Sequence, residues 1–98
     1  MIIIITKNQY QTDLKDILII HNEVTLLSDY QLLLNNEKLE FDYLIIEDLS
    51  LCHNLEATGM LLDEGLPVTN YVCATSLDNI YYGDIDIALS DLMNTEDK

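Results

Sequence analysis

The 98 residues predict one α/β domain built on a small, doubly wound parallel sheet of four or five strands. Three observations predict it. All-apolar runs open the chain and recur near its middle, helix-start signals stand between such runs, and the connecting segments are short. The length is that of one domain, taken as residues 1–93 with a frayed tail over 94–98.

Met1-Ile2-Ile3-Ile4-Ile5-Thr6 has no basic n-region and too short an apolar stretch for a signal peptide, and reads as a central strand covered on both faces. Thr12 is placed to cap a helix carrying Asp13 and Asp16 in its first turn and Leu14, Ile17 and Leu18 on one face. Glu23 to Leu27 reads as the second strand. Ser28 and Gln31 have capping-box spacing for a short helix ending near Asn35-Asn36. Phe41 to Asp48 reads as the third strand. Asn54 would cap a helix with Leu55, Thr58, Leu61 and Leu62 along one side, stopped by Gly65 and Pro67. Pro67 to Ala74 is the expected fourth strand and Ile80-Tyr81-Tyr82 a short fifth. Asp84 or Asp86 opens a last helix with Ile85, Ala88, Leu89 and Leu92 at helical spacing. The implied strand order is 2-1-3-4-5, the flavodoxin-like arrangement with right-handed crossovers.

Charge is the outlying property. Eighteen acids face four lysines and no arginine, for a formal net charge of −14. Residues 1–38 hold five acids and three lysines, whereas residues 39–97 hold 13 acids and no base. Such a surface repels nucleic acid and anionic membranes and attracts basic proteins. No apolar run approaches the roughly 18 residues of a membrane span. Cys52 and Cys73 lie outside any CxxC or zinc spacing and read as free thiols of a cytoplasmic protein.

Phe41-Asp42-Tyr43-Leu44-Ile45-Ile46-Glu47-Asp48-Leu49-Ser50-Leu51 resembles the phosphoacceptor strand of response-regulator receiver domains, which ends in Asp. Asn54 to Leu62 and Gly65 to Val68 resemble the family's next helix and strand. Thr75 falls at its switch hydroxyl, and His21-Asn22-Glu23-Val24 resembles the entry to its second strand. The family's Mg²⁺-holding acid pair is replaced by Thr6-Lys7-Asn8, and no lysine lies between Lys38 and Lys98. Either Glu47 or Asp48 could occupy the acceptor position. The resemblance implies a receiver-like scaffold without phosphotransfer and with its fourth helix missing.

Catalytic signals are weak. Glu47 and Asp48 stand at a strand end, where open parallel sheets place ligands, and Asp78 or Asp84 could add a third oxygen for a metal. Adjacent strand residues point to opposite faces, which opposes such convergence. Cys52 beside His53 lacks an orienting third group. No phosphate-cradling glycine motif occurs. The expectation is therefore a binding protein with no cofactor and no catalytic residue.

Tyr81 and Tyr82, among Asp78, Asp84, Asp86 and Asp91, have the anchor-and-rim composition of a protein interface. The alternative role for these tyrosines is to complete the last strand and its helix contact. The chain is similar in size and charge to small acidic phage inhibitors of restriction and CRISPR nucleases, which implies carboxylates standing in for phosphates on a basic, nucleic-acid-binding partner. Two other readings stand beside it: a receiver-like docking module and a small metal-dependent enzyme. Composition leaves the oligomeric state open, a homodimer included.

Overall fold

A computed structural model describes residues 1–96 of the chain. Its centre is a four-stranded, wholly parallel sheet. β1 (Ile2–Ile5) pairs with β2 (Ile17–Ile20) on one side and with β6 (Tyr43–Ile46) on the other; β10 (Ile80–Tyr82) pairs with β6 at the edge. Ile2 stands opposite Ile17 and Tyr43, and Leu44 opposite Ile80. Runs of β-branched and aliphatic residues suit this position, because both faces of the sheet are covered.

The two faces are covered by different materials. On one, Ile2, Ile4, Ile45 and Tyr81 pack against Ile85, Ala88, Leu89 and Leu92 of α1 (Ile85–Glu96), the one α-helix among the described residues. On the other, Ile3, Ile5, Leu44, Ile46 and Ile80 meet Val24, Leu26, Leu32 and Phe41 of a second layer. That layer is a sheet of β3 (Val24–Leu26), β4 (Gln31–Leu34), β5 (Glu37–Glu40) and β7 (Cys52–His53), antiparallel except where β7 joins β3. Period-2 alternation along β1 and β6 thus feeds two cores, one on each side of a single sheet.

This architecture corrects the doubly wound fold and its flavodoxin- or receiver-like order 2-1-3-4-5. The parallel pairing of Ile2–Ile5 with Tyr43–Ile46 agrees with expectation, but the helices of a doubly wound sheet are missing. Ile17 and Leu18, placed in a helix, belong to the edge strand β2, since Ile17-Leu18-Ile19-Ile20 satisfies both periods and its β-branched side chains lose rotamer freedom in a helix. The strand expected at Glu23–Leu27 exists as β3, but in the second sheet. The helix expected after Ser28 is β4, and Asn35-Asn36 is not its end but the two-residue turn to β5. Both residues have positive φ (51° and 68°), which is the type I′ geometry that asparagine tolerates.

The misread helix starts share one cause. The hydroxyls of Thr12 and Ser28 accept from backbone N–H groups two residues on (3.1 and 3.3 Å), closing local turns in place of helix caps. Asn54, in the left-handed region, donates its amide to the Leu26 carbonyl (3.0 Å), and only a 3₁₀ turn, Leu55–Thr58, follows. Of the strand expected over Pro67–Ala74 only the two ends are in β structure: Pro67 closes a small hairpin, β8 (Leu62–Asp63) and β9 (Leu66–Pro67), turned by Glu64-Gly65 with φ of 52° and 83°, and Ala74 forms an antiparallel bridge with Tyr81. The tail expected from Asn94 is helical as far as Glu96, and residues 97–98 lie outside the described residues. No helix is long and apolar enough to cross a membrane among the described residues.

Candidate functional site

At the carboxyl ends of the parallel strands the acids are already occupied. Thr6, fully buried, donates its hydroxyl to Glu47; the Asn8 amide donates to the same carboxylate at 3.0 Å, and the Asn8 backbone N–H donates to the Thr6 hydroxyl oxygen at 3.0 Å. Asp48 turns away from this group. It accepts from the Ser50 hydroxyl and backbone N–H and lies 3.7 Å from the Lys7 ammonium, contacts that hold its carboxyl below the usual carboxylate range, the Ser50 hydroxyl foremost. Glu47 and Asp48, which follow the end of β6, thus serve two separate networks. No cluster of three or more His, Cys, Asp or Glu side chains placed to hold a metal occurs among the described residues.

Cys52 and His53 also point to opposite sides of β7. The thiol is buried, and burial pushes its pKa up to about 12, so it carries negligible thiolate near neutrality. The exposed His53 ring lies 2.9 Å from the Glu23 carboxylate. This pair has no nucleophile–base geometry.

The residues expected to bind a partner divide into three groups. Tyr81 lies under α1, its ring buried and its hydroxyl donating to Asp91 at 2.8 Å. Tyr82, one residue on, faces the opposite core and is half-buried there. Asp84 caps α1, accepting from the Ile87 N–H at 3.0 Å, and Asp86 accepts from the Tyr10 hydroxyl at 2.9 Å. Asp78 joins Tyr81 and Asp91 around an open cavity of about 600 Å³ at the amino-terminal ends of β6 and β10. Of the six residues, then, Asp78, Tyr81 and Asp91 come together, while Asp84 and Asp86 support the start of the helix.

Asp42 and Tyr43 complete this cavity, and sequence reasoning missed both. The register pairing Leu44 with Ile80, continued two residues back, sets Asp42 beside Asp78. Only that register announces the pair, since 36 positions separate them in the chain. Asp42 is partly compensated by the Met1 ammonium, whose pKa its carboxylate raises. What remains is an acidic recess with two tyrosine walls, chemistry suited to a cationic side chain. Compared with protein-family models, curated proteins and solved structures, the chain matches none of them.

Proposed function

We propose that this chain is a small acidic inhibitor that acts by binding, its carboxylates taking the place of nucleic acid on a basic surface of another protein in the cytoplasm. The supporting observation is the one-sided charge, 13 acids and no base over residues 39–97, together with the gathering of Asp42, Asp78 and Asp91 around one open cavity. A phosphate-binding groove on the partner would meet closely spaced carboxylates there, and long-range attraction would speed the encounter. The acids at the carboxyl ends of the strands contribute to the same field.

The test is capture from host lysate with the chain as bait, against an unrelated acidic protein of equal charge. The captured protein is then titrated with duplex DNA. Competition for one site is expected, with affinity falling by about tenfold or more on moving from low to physiological salt. A partner that binds the chain and DNA simultaneously, each with undiminished affinity, overturns the mimicry.

A further inference from the structure

The hairpin β8–β9 carries apolar residues on both of its faces, unlike ordinary surface patterning. Its inward residues, Leu62 and Pro67, are half-buried and buried. Its outward residues should then be polar. Asp63, opposite Leu66, is polar, but Leu61, Leu66 and Val68 also face out, with 58%, 52% and 41% of their surface exposed. Tyr71, in the loop that follows, is 92% exposed. The hairpin is not loose. The Val68 N–H donates to the Leu61 carbonyl (3.1 Å), and the Leu61 N–H to the Ser76 hydroxyl (2.7 Å).

Beside this apolar face lies a shallow cavity of about 280 Å³ lined by Leu61 and Val68. Its far wall, Asn70, Ala74 and Thr75, is also a wall of the acidic cavity holding Asp42, Asp78 and Asp91. The aliphatic cavity and the carboxylate recess thus adjoin, with this wall common to both. Asp63 and Glu64 border the apolar half at the hairpin, and no base lies between Lys38 and Lys98.

We infer that this composite surface is a docking site for a basic segment of another protein, one whose aliphatic or aromatic side chain seats against Leu61, Leu66 and Val68 while a neighbouring arginine or lysine enters the recess of Asp42, Asp78 and Asp91. Charge selects this occupant over a second copy of the chain, which would bring −14 onto −14 and offers four lysines to 18 acids. The inference rests on the reading of the chain as a binder of basic proteins, and adds to it an apolar anchor site that charge mimicry does not require.

The experiment uses the intact chain and two synthetic peptides of equal length and charge, one alternating arginine with leucine, the other arginine with serine. Binding is followed by ¹⁵N amide shifts and calorimetry. The arginine–leucine peptide is expected to shift Leu61, Leu66, Val68 and Tyr71, and to bind about tenfold or more tightly than the arginine–serine peptide, the difference one buried leucine makes. The double variant Leu61→Glu/Leu66→Glu, made at exposed positions and checked for folding by its amide spectrum, should abolish that preference. Pure charge attraction predicts the reverse for this variant, a gain in affinity. Equal binding of both peptides, with shifts around Asp42 and Asp91 alone, overturns the apolar anchor and leaves the acidic reading standing. Failure of both peptides to bind overturns both. A concentration-dependent dimer of the parent chain that Leu61→Glu/Leu66→Glu turns to monomer assigns the surface to self-association and also overturns the inference.

Discussion

Removing one hydroxyl, in Tyr81→Phe, tests both the packing under α1 and the electrostatics of the recess. The Tyr81 ring is 3% exposed and its hydroxyl donates to the Asp91 carboxylate at 2.8 Å. Hydrogen bonds to charged acceptors contribute about 1.5–3 kcal/mol, and the half-exposed carboxylate argues for the lower figure, about 1.5 kcal/mol, at neutral pH. Burial first, and then Asp91, raise the pKa of this phenol well above its ordinary value of 10.0. A raised folded-state pKa means that the folded protein keeps a proton the unfolded chain gives up. That stability is complete below about pH 10 and drains away above it. With an unfolded pKa near 10, the loss is about 0.4 kcal/mol at pH 10 and about 1.4 kcal/mol at pH 11. The stability gap between the parent and Tyr81→Phe should therefore shrink from about 1.5 kcal/mol near pH 8 to almost nothing by about pH 11. Urea denaturation followed by circular dichroism, under reducing conditions and at each pH, measures the gap directly. Contributions common to the two proteins cancel in the difference. A gap that stays constant from pH 8 to 11 would refute a buried, hydrogen-bonded phenol.

Three further outcomes are expected. Asn36→Val puts a β-branched residue at a φ of 68° and should cost about 1–2 kcal/mol, whereas Asn36→Gly should stay within about 0.5 kcal/mol of the parent; equal melting temperatures for the two variants would rule out the type I′ turn. Asp84→Ala removes the side chain that accepts from the Ile87 N–H and should cost about 1 kcal/mol, largely restored by Asp84→Ser, as read from thermal unfolding. The melting temperature of the parent should rise between low and moderate NaCl, because a net charge of −14 opposes compaction and counterions screen it; a flat or falling curve would mean that the acids are already compensated.

Three of the four strands of the central sheet were the most legible part of the chain. Ile2–Ile5, Tyr43–Ile46 and Ile80–Tyr82 announce themselves by composition, and α1 by the spacing of Ile85, Ala88, Leu89 and Leu92. The connections were illegible for a single reason. Ser, Thr and Asn at the end of an apolar run mark a helix cap or a local turn with equal force, and only tertiary context separates the two. Thr12 and Ser28 fall on the turn side, and the Asn54 side chain bonds across to the Leu26 carbonyl instead of capping a helix. The Asn35-Asn36 pair between Gln31–Leu34 and Glu37–Glu40 did carry a hairpin signal, but three consecutive leucines gave no alternation to support it. At the candidate site, Asp78, Tyr81 and Asp91 could be gathered from their neighbourhood in sequence. Asp42 could not, because a strand register brings it there.

Replacing crossover helices with a second sheet also explains why an apolar face is left over. Helices on the second face would have enclosed the connection from β6 to β10. Here that connection, residues 47–79, caps the core at its margin with Leu51, Leu55, Met60 and Leu62. A hairpin as short as β8–β9 has only two faces, and the core takes one of them through Leu62 and Pro67. Nothing among the described residues covers the other. An uncovered patch of Leu61, Leu66 and Val68 would ordinarily invite copies of the chain to associate. Between like molecules the net charge of −14 opposes that approach, and at contact the separation is within the Debye length of about 8 Å at physiological salt, so screening does not remove the repulsion. Toward a basic surface the same field reverses sign. On the proposed reading, acidity and apolar exposure would act as one selection device: the charge would decide which molecules come close, and the hairpin face would hold those that do.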